Sequence, residues 1–329
     1  MTKDRHVLQA LGKTRVVVEN GKVVEVGEPL VRYCRLWEKI RGIKELNERI
    51  VKENIEFRIH DFGMCTAERV VEMDAFVGFG ASETFMTALR RGLLDSTVTV
   101  CEGAGTVITA NPALVQGIGG RLSGVIETTP VDGIIKKLKE KGGLILDPPR
   151  IEQAAGLQMA LELGYRRAGV TVSTLEDAQH CRAISEEAVI CGVHLTGISR
   201  KDAEALFKVA DLVTACASPH IRDLAREHAL LQAGTAVPIF ALTTIGKEML
   251  LERAKEVKEP LLVNTMRLPV LPEDNNRDLW SELIGHGKKG APVYLETPLF
   301  PVESRLITPS ALCYIAYNSV PTIFIRTSI

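Results

Sequence analysis

The sequence predicts an α/β protein with a mainly parallel central sheet, helices on both faces, an N-terminal β-hairpin and a Pro-rich C-terminal extension. Between residues 170 and 242, short apolar runs recur about every 20 to 24 residues with helical patterns between them, the rhythm of βα units. Helix-capping residues stand near the ends of these runs. With 46% apolar and 25% charged residues among 329, the chain can bury a full core. Right-handed crossovers would place helices on both sheet faces.

The N-terminal region predicts a β-hairpin over residues 16–26. Asn20 and Gly21 at its centre supply the two positive φ angles that a type I′ turn needs. A charged helical stretch follows over residues 36–54. We expect the hairpin to be an addition outside the catalytic core.

The central region alternates predicted strands with capped helices. Serines stand where helices would begin, and glycines where helices would end: Ser82, Ser173, Ser199 and Ser218, then Gly92 and Gly164. The predicted strands cover residues 97–101, 121–126, 169–172, 189–194, 212–216 and 236–242.

Three regions are expected along the chain. Residues 1–58 form the hairpin and helix, 59–258 the α/β core, and 259–329 a C-terminal extension. Eight of the fifteen prolines lie between Pro260 and Pro321, so the extension is predicted to be rich in loops. We expect it to form a cap over the sheet or a dimer arm, and therefore a homo-oligomer or a complex with a protein partner.

Charge and cysteine content limit the classes of function. Forty basic and 41 acidic residues give a net charge of −1, which excludes a general nucleic-acid binder. The seven cysteines are odd in number and include no C-x-x-C pair, so they do not indicate a disulfide framework. The N-terminus is charged and shows no signal peptide. These features predict a cytoplasmic protein.

Residues 306–325 form an uncharged stretch of a length that could span a bilayer. Pro309 and Pro321 would break a helix there and leave backbone groups unpaired in lipid. We therefore predict a buried helix or strand pair and no membrane association.

Polar residues concentrate at predicted strand ends, where ligands bind in open parallel sheets. Cys101 ends the strand over residues 97–101 and Glu102 follows it, while His194 and Cys216 end two later strands. If these strand ends share one edge of the sheet, the four residues come together. A cysteine nucleophile with His194 as base and Glu102 as orienting group would fit.

A second candidate nucleophile is Cys65. It follows His60 and Asp61, which could orient or deprotonate its thiol. The alternative is a buried, inert cysteine, because free cysteine is among the most buried residue types.

A metal site is a further hypothesis. Cys65, Cys101 and Cys216 could hold an iron–sulfur cluster, or a zinc ion together with His194. Their separations of about 36 and 115 residues lack the close spacing of common metal motifs.

Two glycine-rich segments indicate where the backbone could approach a small anionic ligand. Neither completes a dinucleotide-binding fingerprint or a P-loop. The alternative for both segments is a pair of tight turns. The predicted ligand-binding residues are Gly103, Gly105, Thr106, Gly117, Gly119, Gly120 and Arg121, together with Ser218 at a helix start.

Several motifs together are similar to one known family. They are Asp61-Phe62-Gly63-Met64-Cys65-Thr66, Cys101-Glu102-Gly103-Ala104-Gly105-Thr106-Val107, Gln116-Gly117-Ile118-Gly119-Gly120-Arg121, Thr196-Gly197-Ile198-Ser199 and Cys216-Ala217-Ser218. The family that they resemble is methanogenesis marker protein 8, and the resemblance covers residues 5–255.

The resemblance implies a cytosolic protein of methane-producing archaea. It links the chain to methanogenesis, through a cofactor or through maturation of methyl-coenzyme M reductase, and it assigns no catalytic residue. Four hypotheses stay open: an enzyme or maturation factor that binds an anionic small molecule and uses a strand-end cysteine, an iron–sulfur or zinc carrier, a non-catalytic assembly subunit, and a binder of a nucleotide or S-adenosylmethionine at residues 102–106.

Overall fold

The computed structural model describes residues 4–33, 38, 42–75, 77–120, 124–215, 217–235 and 237–270. Within these ranges the chain forms two β-sheets and nine α-helices. The strands are β1 (Arg5–Gln9), β2 (Arg15–Glu19), β3 (Lys22–Val26), β4 (Ser96–Cys101), β5 (Gly105–Thr109), β6 (Gly124–Thr128), β7 (Leu144–Ile145), β8 (Ala168–Val172), β9 (Val189–Gly192), β10 (Leu212–Thr214), β11 (Leu231–Ala233) and β12 (Ile239–Ala241). The helices are α1 (Glu48–Phe62), α2 (Ala81–Arg90), α3 (Pro112–Gly119), α4 (Asp132–Glu140), α5 (Gln153–Glu162), α6 (Leu175–Ile184), α7 (Arg200–Leu206), α8 (Pro219–His228) and α9 (Thr244–Glu256).

The larger sheet has eight strands in the order β11-β12-β10-β9-β8-β4-β5-β7. Only the four central strands, β10, β9, β8 and β4, are parallel, and the outer neighbours on both sides pair antiparallel. The prediction of a mainly parallel sheet was therefore wrong, and the sheet is mixed. The reason is local: after β4 the chain turns back at residues 102–104 and forms a hairpin with β5 instead of a helical crossover.

Helices cover both faces of the larger sheet, as the sequence predicted. On one face α5, α6, α7 and α8 pack on inward-pointing residues such as Val170 and Ile190. On the other face α2, α3 and α9 pack on residues such as Val189 and Cys191. Consecutive residues of β9 pack against opposite faces of the sheet because side chains alternate along a strand.

The smaller sheet has the order β3-β2-β1-β6 and is antiparallel throughout. Its β2–β3 hairpin confirms the predicted turn, with φ of 47° at Asn20 and 71° at Gly21. Apolar residues of α1 and of the sheet, among them Ile55 and Leu8, form a separate core. The sheet also takes β6 from the middle of the chain, and the expectation that the hairpin lies outside the catalytic core stays a prediction.

The two sheets meet where β1 and β6 cross the carboxyl ends of the parallel strands. At the β4 end, the Gly103 N–H donates to Thr128 Oγ1 at 2.6 Å. At the β9 end, His194 Nε2 lies 3.0 Å from Gln9 Oε1. The edge that was expected to hold the ligand is therefore lined by the smaller sheet.

Several predicted element bounds change. The helix expected to begin at Ser82 has its N-cap at Gly80, and Thr174 caps α6 in place of Ser173, whereas Ser199 caps α7 as predicted. The helix predicted over residues 36–54 is right only from Glu48, where α1 begins, and α1 continues to Phe62. Residues 42–47 are not helical, and part of the remaining predicted range lies outside the described residues.

The C-terminal stretch over residues 306–325 also lies outside the described residues. Among the helices that the structure does describe, none combines the length and the apolar character needed to cross a membrane. The three-region division stays a prediction, and the smaller sheet takes strands from both sides of residue 58.

Candidate functional site

A buried ion pair lies at the carboxyl end of β4. Glu102 Oε1 accepts a hydrogen bond from Arg69 Nε at 2.6 Å, and both side chains are 0% exposed. Arg69 lies in the loop after α1 and also donates to the carbonyl oxygens of Val70 and Ile118. Burial lowers the pKa of Arg69, but the charge of Glu102, the hydrogen bond to it and the nearby Cys101 and Cys65 together raise the pKa above its ordinary value. The guanidinium is therefore a fixed cation inside the protein.

Two free thiols share this environment. Cys101 Sγ lies 3.7 Å from Glu102 Oε2, and Cys65 occupies the turn after α1 with a φ of 63°. Burial, followed by the charge of Glu102, raises the pKa of both thiols well above the ordinary value, while Arg69 opposes the shift. Both cysteines are thus protonated in the conformation seen, and a nucleophilic role requires a base that takes the proton.

His6 of β1 completes the cluster. Its Nδ1 lies 2.7 Å from Thr128 Oγ1, the same oxygen that binds the Gly103 N–H. Its Nε2 is buried and finds no hydrogen-bond partner among the described residues. Burial lowers the pKa of His6, against the opposing charges of Glu102 and Asp4. A buried imidazole nitrogen without a partner is unusual, and each such group calls for a functional or structural reason.

His194 lies two residues beyond β9, with a φ of 57°. Burial first, and then the charges of Lys13 and Arg58, lower its pKa to about 4. The imidazole is therefore neutral at physiological pH. Lys13 Nζ donates to the carbonyl of Thr196 at 2.9 Å, which ties the β1–β2 connection to the loop after β9.

The predicted residues Cys101, Glu102 and His194 lie at one edge of the larger sheet but at different points along it. β9 is two strands away from β4, which corresponds to about 10 Å at the usual strand spacing. His6 and Gln9, which contact the two points, are three residues apart in β1, again about 10 Å at the usual rise per residue. The site is an elongated edge with a thiol end and a histidine end.

The first glycine segment closes the β4–β5 hairpin. Gly103 and Gly105 have φ of 77° and 75°, and a Cβ at either would collide with Ile134 or with the Arg150 backbone. Thr106 Oγ1 accepts the N–H of Glu152 at 2.8 Å. Because Gly103 and Gly105 have no side chain, other parts of this protein pack closely against them. Anion binding at these residues stays a prediction.

The second glycine segment belongs to α3. A Cβ at Gly117 would overlap the backbone of Val71, and one at Gly119 would lie 3.0 Å from Ser82 Cβ. Gly120 is the C-cap residue of the helix. Arg121 lies outside the described residues, so its proposed contact with an anion is not described.

Three other predicted residues are placed as follows. The side chain of His60 is 89% exposed on α1, whereas the Cys65 thiol is buried. Ser218 begins α8, and its hydroxyl donates to the carbonyl of Leu195 at 2.7 Å. Cys216 lies outside the described residues, and β10, which precedes it, is three strands away from β4, about 14 Å.

Metal binding was one of the predicted roles. In the part of the chain that the structure describes, no three His, Cys, Asp or Glu side chains are grouped so that they could hold a metal ion. Because Cys216 is not described, the iron–sulfur or zinc site of Cys65, Cys101 and Cys216 stays a prediction.

Sequence reasoning missed three residues of this edge: Arg69, His6 and Lys13. A histidine within the apolar run His6-Val7-Leu8 was a usable signal, because a polar ring on a buried strand needs a partner. No comparable signal pointed to Arg69, because its partner Glu102 lies 33 residues away in the sequence.

Comparison with known proteins places the chain among archaeal sequences. Residues 6–255 match the family described as "Uncharacterized protein conserved in archaea (DUF2099)". The chain is 49% identical over 282 residues to "Uncharacterized protein MJ0054" of Methanocaldococcus jannaschii, which covers 84% of this chain and 99% of the relative. No solved structure matches the chain significantly. The chain therefore belongs to this conserved archaeal family, DUF2099.

Proposed function

We propose that this protein is an enzyme or maturation factor of anaerobic one-carbon metabolism that binds a small anionic molecule and uses Cys101 as its nucleophile. The metabolic assignment comes from the resemblance to methanogenesis marker protein 8, and membership of an archaeal family agrees with it. The resemblance further suggests a role in methanogenesis, through a cofactor or the maturation of methyl-coenzyme M reductase.

The observation that carries the proposal is the buried Arg69–Glu102 pair beside two free thiols. A dry ion pair adds little net stability, because desolvation costs about as much as the charges gain. Groups with strongly shifted pKa values that cluster at a strand-end edge are typical of functional sites.

The arrangement supports one proton transfer. Glu102 Oε2 lies beside Cys101 Sγ, so the carboxylate can take the thiol proton. This transfer takes place when a bound substrate displaces the side chains that pack around the thiol. The resulting thiolate is stabilised by the fixed positive charge of Arg69. Glu102 then holds the proton and can return it to a leaving group.

Complementation in an archaeal host that lacks its own copy of the gene tests this proposal. The Cys101→Ser variant should fail to restore growth under methane-forming conditions, whereas Cys191→Ser, at another buried free cysteine, should restore it. Both variants should be present at wild-type levels. If Cys101→Ser restored full growth, the proposed nucleophile would be wrong.

An iron–sulfur or zinc carrier is the second candidate, favoured because Cys101 lies near enough to Cys65 to raise the pKa of the Cys65 thiol. Purification without oxygen, followed by metal and acid-labile sulfide analysis, tests it. A stoichiometric metal that disappears in Cys65→Ser would support the carrier. A colourless, metal-free protein would eliminate it.

A further inference from the structure

His6 is a buried side chain of the thiol end that the proposed proton transfer leaves unused. It lies on β1, is 0% exposed and has its Nδ1 2.7 Å from Thr128 Oγ1. The same Thr128 oxygen accepts the Gly103 N–H at 2.6 Å. Two short contacts therefore connect the imidazole, through Thr128, to the turn that follows Cys101 and contains Glu102.

The hydrogen bonds of Thr128 indicate which nitrogen of His6 carries the proton. Because Thr128 Oγ1 already accepts the Gly103 N–H, its own hydrogen needs an acceptor, and the described residues offer it His6 Nδ1. Burial lowers the pKa of His6, so the ring is neutral above pH 7. A neutral imidazole whose Nδ1 accepts a hydrogen bond has its proton on Nε2. His6 Nε2 is therefore a hydrogen-bond donor.

This donor is buried and finds no acceptor among the described residues. An unsatisfied buried N–H costs free energy, and each case calls for an explanation. The other strong donor of the cluster is satisfied: Arg69 Nε donates to Glu102, and its two terminal nitrogens donate to backbone carbonyl oxygens. At the thiol end, the His6 N–H is thus the buried donor that the described part of the chain leaves for a ligand oxygen.

The groups of the thiol end together match the requirements of acyl transfer. This reaction needs a nucleophile, a base beside it and a donor that stabilises the oxyanion, and here a thiol, a carboxylate and a neutral N–H are present. Displacement at a saturated carbon forms no oxyanion and gives such a donor no role. Phosphoryl transfer relies on cations that contact the phosphate oxygens, and Arg69 already donates to acceptors within the protein.

We propose that His6 Nε2–H donates to the carbonyl oxygen of the substrate, and that the substrate is an activated acyl compound, a thioester or an acyl phosphate. This role rests on the proposed function, because it takes Cys101 as the nucleophile. The Cys101 thiolate forms a bond to the carbonyl carbon while the carbonyl electron pair moves to the oxygen, where the His6 N–H stabilises the charge. When the oxyanion collapses, the bond to the leaving thiolate or phosphate breaks, and that group takes the proton held by Glu102. The acyl group stays on Cys101 as a thioester.

Two reagents of different chemistry, applied to the full-length protein, test this role. p-Nitrophenyl acetate acylates a thiolate through an oxyanion, whereas iodoacetamide alkylates a thiolate without forming one. Both reactions need the thiolate, so the ratio of the two rates at Cys101 removes the effect of the thiol pKa. Mass spectrometry of peptides measures modification of Cys101 separately from that of the other cysteines.

Two substitutions of His6 separate its donor from its contact with Thr128. His6→Asn places an amide where Nδ1 lies, so it keeps the contact but removes the donor at Nε2. The ratio of acylation to alkylation should therefore fall about 100-fold. His6→Gln places an amide where Nε2 lies and should retain most of the ratio. His60→Asn, at an exposed histidine, should leave the ratio unchanged.

The tautomer of His6 is measured in the wild-type protein, so this part of the test needs no variant. The ¹⁵N chemical shifts of the ring should show a protonated Nε2 and an unprotonated Nδ1 at neutral pH. The opposite tautomer would make Nε2 an acceptor and would overturn the donor role.

The labelling results also separate this role from the proposed function. If Cys101 reacts with both reagents but His6→Asn keeps the wild-type ratio, the donor role is wrong and the nucleophile stands. The same holds if the wild-type Cys101 is alkylated but not acylated. If Cys101 reacts with neither reagent, its thiol does not open to a substrate, and the nucleophile and the donor role both fail.

Discussion

At the level of single residues, the edge combines a buried ion pair with a buried neutral histidine. Glu102 and Arg69 satisfy each other at the thiol end. At the histidine end, burial and the charges of Lys13 and Arg58 lower the pKa of His194 to about 4. Strand-end reasoning located Cys101, Glu102 and His194 because each lies at or just beyond the end of a strand. Their partners could not be found in that way, since Gln9 and His194 are 185 residues apart.

The histidine end predicts a pH dependence of stability. His194 has a folded-state pKa of about 4 against an ordinary 6.5, so the unfolded chain binds more protons between these values. The stability contributed by the neutral ring is present above pH 6.5 and is lost as the pH falls toward 4. The loss amounts to roughly 3 kcal/mol at about 1.4 kcal/mol per pKa unit.

Urea denaturation of the wild type and of His194→Asn between pH 7.5 and 4 measures this contribution. The variant should show a flatter dependence on pH, and His60→Asn, at an exposed position, should keep the wild-type slope. Equal slopes for all three proteins would contradict the assignment.

At the level of elements, the β4–β5 hairpin explains why the sheet prediction failed. An apolar run indicates a strand but not its direction, and the turn at residues 102–104 sets that direction. Gly103 and Gly105 were read as a ligand loop because a tight turn and a backbone cradle use the same residue. The structure shows the tight turn with its close contacts to Ile134 and Arg150, and ligand binding at these glycines stays a prediction.

In helix α3, a substitution at Gly117 can measure whether close packing within the protein is what requires a glycine. Gly117→Ala should destabilise the protein by about 1–3 kcal/mol, because the new methyl group meets the Val71 backbone. This outweighs the gain of about 1 kcal/mol that alanine brings to a helix.

The control lies in the same helix, where Gly119→Ala meets only the side chain of Ser82 and should cost less. Chemical denaturation ranks the two variants. A stabilised Gly117→Ala protein would show that the close approach to Val71 is not what requires glycine.

At the level of the whole molecule, Asp211 connects the two helical layers across the larger sheet. Its Oδ2 accepts from Arg182 of α6 at 2.7 Å and from the Ile190 N–H of β9 at 2.8 Å. Its Oδ1 accepts from Thr243, the N-cap residue of α9, at 2.8 Å. Because α6 and α9 lie on opposite faces, a single carboxylate fixes both to the central strands. The sequence predicted helices on both faces but gave no indication of this connection.

Asp211→Ala should therefore destabilise the whole fold by roughly 3–5 kcal/mol, since it leaves the buried Ile190 N–H without its acceptor and the Arg182 guanidinium without its carboxylate. Thermal or urea unfolding should show one cooperative shift. Asp223→Ala removes an exposed carboxylate and should change stability by about 0.5 kcal/mol or less. Two separate transitions in Asp211→Ala would show that the layers unfold independently.

The position of β1 has a consequence for biosynthesis. This strand is translated well before its partners, because Thr128, which binds His6, follows 122 residues later. His194, which binds Gln9, follows 185 residues after its partner. The edge is therefore assembled only after most of the core has been translated, and contacts of such long range form slowly. Nascent chains pass through a stage in which Cys65 and Cys101 already exist but their covering strand is not yet in place, so a reducing environment matters most while the protein is being made.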